Sequence, residues 1–261
     1  MGNKVDVDLF MKFIKIFTEK GWFEIDGYDE YLRRFSSLIQ NMKNEQIELI
    51  IELTNRYTLM SYNDYHKYLR RLLKDLYESF LINKDIVYIF PIIKPNEERN
   101  IKSGHAISYM IPSIKSSLSE YKDIKFRDLT KFEDLRPNKL TIKDNEFFLL
   151  VDDFVGTGKT LDTTLNEIKC NKSILSNFAI LSIVMQEEAI EYLKGLSYNF
   201  LYEITMYKGI SSYYTGFTLS EKIRIMNEIE NSIPNVKGYK FGYEESEALV
   251  TMMRTPNNTF P

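Results

Sequence analysis

The sequence predicts an α/β protein with a central parallel sheet, preceded by an all-helical N-terminal region. Three observations predict it. Up to about residue 84, apolar side chains recur at three- and four-residue spacing. From residue 85 onward, short β-rich runs alternate with segments of helix length. The run Phe147-Phe148-Leu149-Leu150-Val151 ends in two acids, followed by a glycine-bearing turn and a new amphipathic segment. The chain therefore divides into a helical region, 1–84, and an α/β domain, 85–261.

In the first region, Val5, Leu9, Phe10, Phe13, Ile14 and Phe17 form an amphipathic stripe over residues 5–19. Tyr28, Tyr31, Leu32, Phe35, Leu38 and Ile39 continue it over 28–41, and Ile47, Leu49, Ile50, Ile51 and Leu53 over 44–58. Ser61 is placed to cap a further helix, whose stripe is Tyr65, Tyr68, Leu69, Leu72, Leu73, Leu76 and Tyr77. Periodicity assigns the aromatics of these stripes to core packing.

In the second region, residues 86–93 read as a strand with Pro91 near its end. Ser103 to Leu118 reads as a helix disturbed by Pro112. Residues 119–145 are polar and without clear period, as expected of a solvated loop. Then follow a strand at Phe147–Val151, a helix from Thr160 to Ile168, a strand at Phe178–Met185 and a helix at Glu187–Leu193. A strand at Phe200–Met206, a helix at Leu219–Ile233 and a late strand at Leu249–Met253 complete the pattern. The alternation implies right-handed βαβ units. There is no internal repeat and no low-complexity segment.

Composition narrows the setting. The chain has 261 residues, 44% apolar and 27% charged, with a net charge of −3 from 34 basic and 37 acidic side chains. That balance lacks the basic excess of a general nucleic-acid binder. Cys170 is the single cysteine, so no internal disulfide forms, and a reducing, cytoplasmic compartment is expected. The N-terminus lacks the apolar run of a signal peptide, and Asp6 stands where a myristoylation motif needs Ser or Thr. No apolar run is long enough to span a bilayer. The ending at Phe260-Pro261, straight after a strand-like segment, leads us to expect that the natural chain continues.

The chemistry concentrates after Val151. Asp152 and Asp153 stand at the carboxyl end of a strand, where ligands of open α/β sheets bind. Gly156 and Gly158, flanked by Thr157 and Thr160, lead into a helix N-terminus, whose backbone N–H groups and dipole attract phosphate. Two acids would repel a second phosphate there but suit the cis-diol of a ribose. A P-loop is the rival reading, since Gly158-Lys159-Thr160 ends like one. That motif needs Gly at 153, and Asp153 stands there. Two turn acids and two turn glycines without any ligand is the remaining alternative.

Leu149 to Thr160, with the core Asp152-Asp153-Phe154-Val155-Gly156-Thr157-Gly158-Lys159-Thr160, resembles the signature with which type I phosphoribosyltransferases bind phosphoribosyl pyrophosphate (PRPP). Phe154 is bulky for its position, and Gly156 replaces a usual small or hydroxyl residue. The resemblance implies that Asp152 and Asp153 hold the ribose hydroxyls as catalytic residues and reach Mg²⁺ indirectly, through ligand or water. It implies that Val155, Gly156, Thr157, Gly158, Lys159 and Thr160 bind the 5-phosphate. The family's pyrophosphate loop would correspond to Lys102, Ser103 and Gly104, and its mobile flap to residues 119–145.

The long helical front end, this signature and the tail Thr255 to Pro261 also resemble a divergent branch of that family found in bacterial conflict systems, including retron operons. The resemblance implies a ribosyl-transferring toxic effector of antiviral defence, or else a non-catalytic nucleotide-binding sensor or regulator. The implied partners are PRPP or a nucleotide, a reverse transcriptase with its attached DNA or another product of the operon, and a second copy of the chain. No membrane is among them.

Other reactive side chains carry less. Two histidines and one cysteine lack metal spacing. His66 reads as structural, whereas His105 lies near a helix N-terminus where it could reach a ligand. Arg33-Arg34 and Arg70-Arg71 read as solvated helix faces, and Arg254 is the better arginine candidate.

Overall fold

The computed structural model describes residues 7–25, 27–236 and 238–261, so Val5 and Asp6 lie outside the described residues. The chain folds as two compact units. One comprises Met1–Thr58, Lys208–Val250 and Asn257–Pro261, and the other Leu59–Tyr207 with Thr251–Pro256. These units are discontinuous in sequence and cut the chain elsewhere than at 84/85.

In the first unit, α1 (Val7–Glu19), α2 (Tyr28–Ile39), α3 (Asn44–Arg56) and α9 (Gly216–Asn231) are the long helices. Phe13, Ile16, Phe17, Ile39, Leu49 and Leu53 are buried, and Phe13 meets Phe35 edge-on at 4.8 Å. The stripe of α2 is only partly core: Tyr31 and Leu38 are exposed. A helix covered on one narrow side buries fewer positions than its apolar periodicity offers.

The second unit carries the sheet. After the two-residue strand β1 (Thr58–Leu59) and helix α4 (Tyr62–Leu76) come β2 (Ile86–Pro91), α5 (Ser103–Lys115), β3 (Lys125–Asp128) and β4 (Glu146–Val155). They are followed by α6 (Lys159–Ile168), the short α7 (Lys172–Ser176), β5 (Phe178–Gln186), α8 (Glu187–Leu196) and β6 (Phe200–Met206). The strands pair in parallel in the order β3-β2-β4-β5-β6. β4 and β5 are buried along their whole length, which explains their unbroken apolar runs: helices cover both faces. Tyr88, Phe90, Phe148, Leu150 and Ile180 form one core with Leu161, Leu165 and Ile168 of α6 and Ala189, Ile190 and Leu193 of α8. Helices α4 and α5 cover the opposite face.

Several boundaries differ from the sequence reading. Strand β4 runs on through both acids to Val155, and α6 opens one residue before Thr160. Helix α5 tolerates Pro112, which withholds only its own N–H from the carbonyl of Ser108, and ends at Lys115, one turn short of Leu118. The polar stretch 119–145 is not a bare loop. It contains the edge strand β3, and Phe132, Leu135, Leu140 and Ile142 are buried in the sheet's core. The late strand shrinks to β7, Val250–Thr251.

Candidate functional site

Counted along the chain within this sheet, the strand order is 2-1-3-4-5, which reverses between β2 and β4. Connections leaving these two strands depart to opposite faces, and open α/β sheets bind ligands outside the carboxyl ends of strands at such a point. The predicted site residues lie at the end of β4, in the turn into α6 and at the start of α5.

From β2, the chain passes through a short turn at Pro95–Glu97 into α5, whose N-cap is Lys102. Lys102 Nζ pairs with Glu97 Oε1 at 2.8 Å. The first turn of α5 lies against the sheet because Gly104 has no side chain: a Cβ there would meet the Val151 carbonyl oxygen at 2.8 Å and Pro91 Cβ at 2.9 Å. This contact brings Ser103 over β4, where its hydroxyl donates to Asp152 Oδ1 at 2.5 Å. His105 Nδ1 accepts the Lys102 N–H at 3.2 Å, so this histidine caps α5, and burial depresses its pKa.

From β4, three residues, Gly156, Thr157 and Gly158, turn the chain into α6. Gly158 is the N-cap with φ 81°, a left-handed conformation that glycine adopts without steric cost. Lys159 is exposed, and Thr157 and Thr160 are half-buried. Thr164 Oγ1 donates to the Ile93 carbonyl at 2.8 Å, tying α6 to the loop after β2. With Asp153 inside the strand, the turn is too short to wrap phosphates as a P-loop does.

The two acids are almost fully buried, at 9% and 4% exposure. Asp152 Oδ1 also accepts the N–H of Asp153 at 2.9 Å. Burial raises both carboxyls above the usual range, and the charge of Asp153 raises Asp152 further. Asp153 is partly relieved by the Tyr65 hydroxyl, which donates to its Oδ2 at 2.6 Å.

Tyr65 is the residue that periodicity missed. It is buried, as its stripe predicts, but its hydroxyl belongs to the acidic site and accepts the Met253 N–H at 2.9 Å. A buried tyrosine needs a partner for its hydroxyl, yet nothing in the stripe names that partner. Of the other candidates, His66 and Arg254 are exposed. Arg33 and Arg34 both pair with Glu30, and Arg70 donates to Ser117 Oγ. Cys170 is exposed, its thiol directed at the Glu167 carbonyl.

The sequence model of the PRTase-CE family matches residues 28–261. The chain belongs to the PRTase-CE family. This PRTase-CE protein has the predicted α/β fold with a central parallel sheet. No curated protein matches it in sequence. Among solved structures, it is similar to a purine phosphoribosyltransferase from Pyrococcus horikoshii, at 16% identity and TM-score 0.36 over 57% of this chain and 87% of that one. It is similar to an orotate phosphoribosyltransferase from Aeropyrum pernix, at 17% identity and TM-score 0.34 over 56% and 72%. A hypothetical protein from Neisseria gonorrhoeae with bound ppGpp matches at 12% identity and TM-score 0.38 over 66% and 97%. Among the described residues of this PRTase-CE protein, no helix is long and apolar enough to cross a membrane.

Proposed function

We propose that this PRTase-CE protein binds PRPP or a related ribosyl phosphate and transfers the ribosyl group, with Asp152 and Asp153 as its catalytic residues. The observation that carries the reading is the convergence, at the switch point of a parallel sheet, of two buried acids with two helix N-termini. The acids accept from the ribose diol, while the turn Val155 to Thr160 donates backbone and hydroxyl groups to the 5-phosphate. Lys102, Ser103 and Gly104, at the start of α5, face the diphosphate. In the transfer, an electron pair of the acceptor forms a bond to the anomeric carbon as the bond to pyrophosphate oxygen breaks. That bond's electrons leave with pyrophosphate, and the acceptor sheds its proton. The acids steady the positive charge that develops on the ribose.

The donor set fits Mg²⁺ carried on the ligand. The pair offers hard carboxylate oxygens, and no group of three or more metal-binding side chains occurs among the described residues. Such a cation keeps waters and takes most of its other ligands from phosphate. When bound, it neutralises charge on the departing pyrophosphate.

The test is calorimetry with PRPP and Mg²⁺ on the wild type and on Asp152→Asn/Asp153→Asn. Heat in the wild type that disappears in the double variant is expected, whereas equal, negligible heats remove PRPP.

One observation favours a second reading, a nucleotide-binding regulator without transfer. The Ser103 hydroxyl is already bonded to Asp152 and the Lys102 ammonium to Glu97, so the side-chain donors of the loop after β2 are committed within the protein. Release of pyrophosphate with any acceptor decides for the enzyme. Binding without product across an acceptor screen decides for the regulator.

The biological role follows from the family resemblance and from helices beyond those a small salvage enzyme needs. It is a toxic effector or regulator of antiviral defence in the cytoplasm, restrained by a partner such as a reverse transcriptase with its DNA. Expression with and without neighbouring genes, beside Asp152→Ala/Asp153→Ala, tests it. A harmless wild type and an operon whose phage restriction survives the double substitution would end the effector reading.

A further inference from the structure

Tyr65 enters the acidic site from α4, before the sheet begins in the sequence. Its hydroxyl has two neighbours: the Met253 N–H, 2.9 Å away, and Asp153 Oδ2, 2.6 Å away. A peptide N–H can only donate, so the phenol oxygen accepts on that side. The phenol has one proton, and Tyr65 is 0% exposed, so no water can take it. Were Asp153 to donate as well, the phenol proton would be stranded in a dry site, at a cost of about 1–3 kcal/mol. Donor counting therefore runs in one direction, from Met253 to Tyr65 to Asp153. On the other acid, Asp152 Oδ1 is occupied by Ser103 and by the Asp153 N–H. Each acid is thus pinned by a different helix: Asp152 by α5 and Asp153 by α4.

We propose that Tyr65 is a positioning residue of this site, fixing the Asp153 carboxylate for a ribose diol and fastening the segment Thr251–Pro256 to it. The inference rests on the ribosyl phosphate reading above and adds a residue outside the PRPP signature. It also gives the segment that contains Arg254 a defined attachment, because the Met253 N–H and the Asp153 carboxylate share a single hydroxyl. A ligand that draws on Asp153 is thereby coupled to that segment.

The experiment compares wild type with Tyr65→Phe, which keeps the ring and removes only the hydroxyl. Two probes are titrated: PRPP with Mg²⁺, and inorganic pyrophosphate with Mg²⁺, which has no ribose. Tyr65→Phe is expected to weaken PRPP binding about tenfold, the scale of one hydrogen bond to a charged group, and to leave pyrophosphate binding unchanged. Amide exchange at Met253 should accelerate about tenfold, while residues 178–186 keep their protection. Met253→Pro removes the other donor without touching the buried ring and covers the case in which Tyr65→Phe does not fold. It should weaken PRPP binding in the same direction. Wild type that binds PRPP, with either folded variant binding it equally well, overturns this inference alone. Equal losses for both probes also overturn it, because they would indicate a general disturbance. Wild type that binds no PRPP overturns the underlying reading and this inference with it.

Discussion

A Cβ on Gly104 would stand 2.8 Å from the carbonyl oxygen of Val151 and 3.2 Å from the Ile92 nitrogen. Both neighbours are backbone, and Ile92 N–H donates to that same Val151 oxygen at 2.9 Å, so neither can move aside cheaply. Gly104→Ala should therefore cost about 1–3 kcal/mol, as overpacking in a close-packed interior does. It should also lift Ser103 from Asp152. Urea denaturation measures the first effect. A variant as stable as wild type would show that α5 does not rest on β4 as described.

The same position shows what the sequence could and could not disclose. Ser103-Gly104 before an amphipathic segment is legible as a helix start, and the glycine invites a ligand reading. Its requirement comes instead from two strands distant in sequence, which no local pattern records. The buried strands β4 and β5 were legible because a parallel sheet covered on both faces demands unbroken apolar runs. The edge strand β3, Lys-Phe-Arg-Asp, was not, because an edge carries charge and half its surface faces water. Phe132, Leu140 and Ile142 are too irregularly spaced to announce that they cover a core. The stripe places Tyr65 in the core, where it lies, but a stripe cannot say where a hydroxyl points.

Asp152→Asn should stabilise the protein at neutral pH while weakening the PRPP binding proposed above. Burial and the neighbouring Asp153 hold the Asp152 carboxyl above its ordinary value of 3.8, so folding favours its protonated form. Its contribution to stability is fully present below that value and declines as pH rises through the folded-state pKa. Asparagine keeps an oxygen for Ser103 and the Asp153 N–H but cannot ionise. Each kcal/mol recovered appears as about 2–4 °C in the unfolding temperature. A lower unfolding temperature than wild type at pH 7 would contradict the assignment.

Glu230 offers the same test away from the site. Its Oε1 accepts the Phe241 N–H at 2.8 Å, while Oε2 is buried with no hydrogen-bond partner among the described residues. Burial raises its pKa, and Glu247 adds to the rise. The folded state therefore binds more protons than the unfolded one above pH 4.5, and stability should fall as pH climbs from there through the folded-state pKa. In Glu230→Gln this fall disappears. Denaturation midpoints for both proteins at pH 4, 5.5 and 7 check it, and two parallel curves would refute it.

The N-terminal cap of α4 holds the helix in register. Ser61 caps this helix: its Oγ accepts the Asp64 N–H at 3.3 Å and donates to Asp64 Oδ2 at 2.6 Å, and its own N–H donates to that same oxygen at 2.9 Å. Tyr65 follows one residue after Asp64, so this cap fixes the first turn of the helix that aims the phenol at Asp153. Ser61→Ala removes both hydroxyl contacts and should cost about 1 kcal/mol, whereas Ser61→Gly should cost only a few tenths, because glycine leaves the exposed N–H groups open to water. The Leu69, Leu72, Leu73 and Leu76 side chains remain buried in either variant and keep the rest of α4 in place. Amide exchange should therefore rise over residues 62–66 and not over 69–76. PRPP affinity should fall less than in Tyr65→Phe, since the hydroxyl is still present and only its anchoring is loosened. If Ala and Gly at 61 both matched wild type in urea and in exchange, the cap would be a bystander, and Tyr65 would owe its position to the leucines alone.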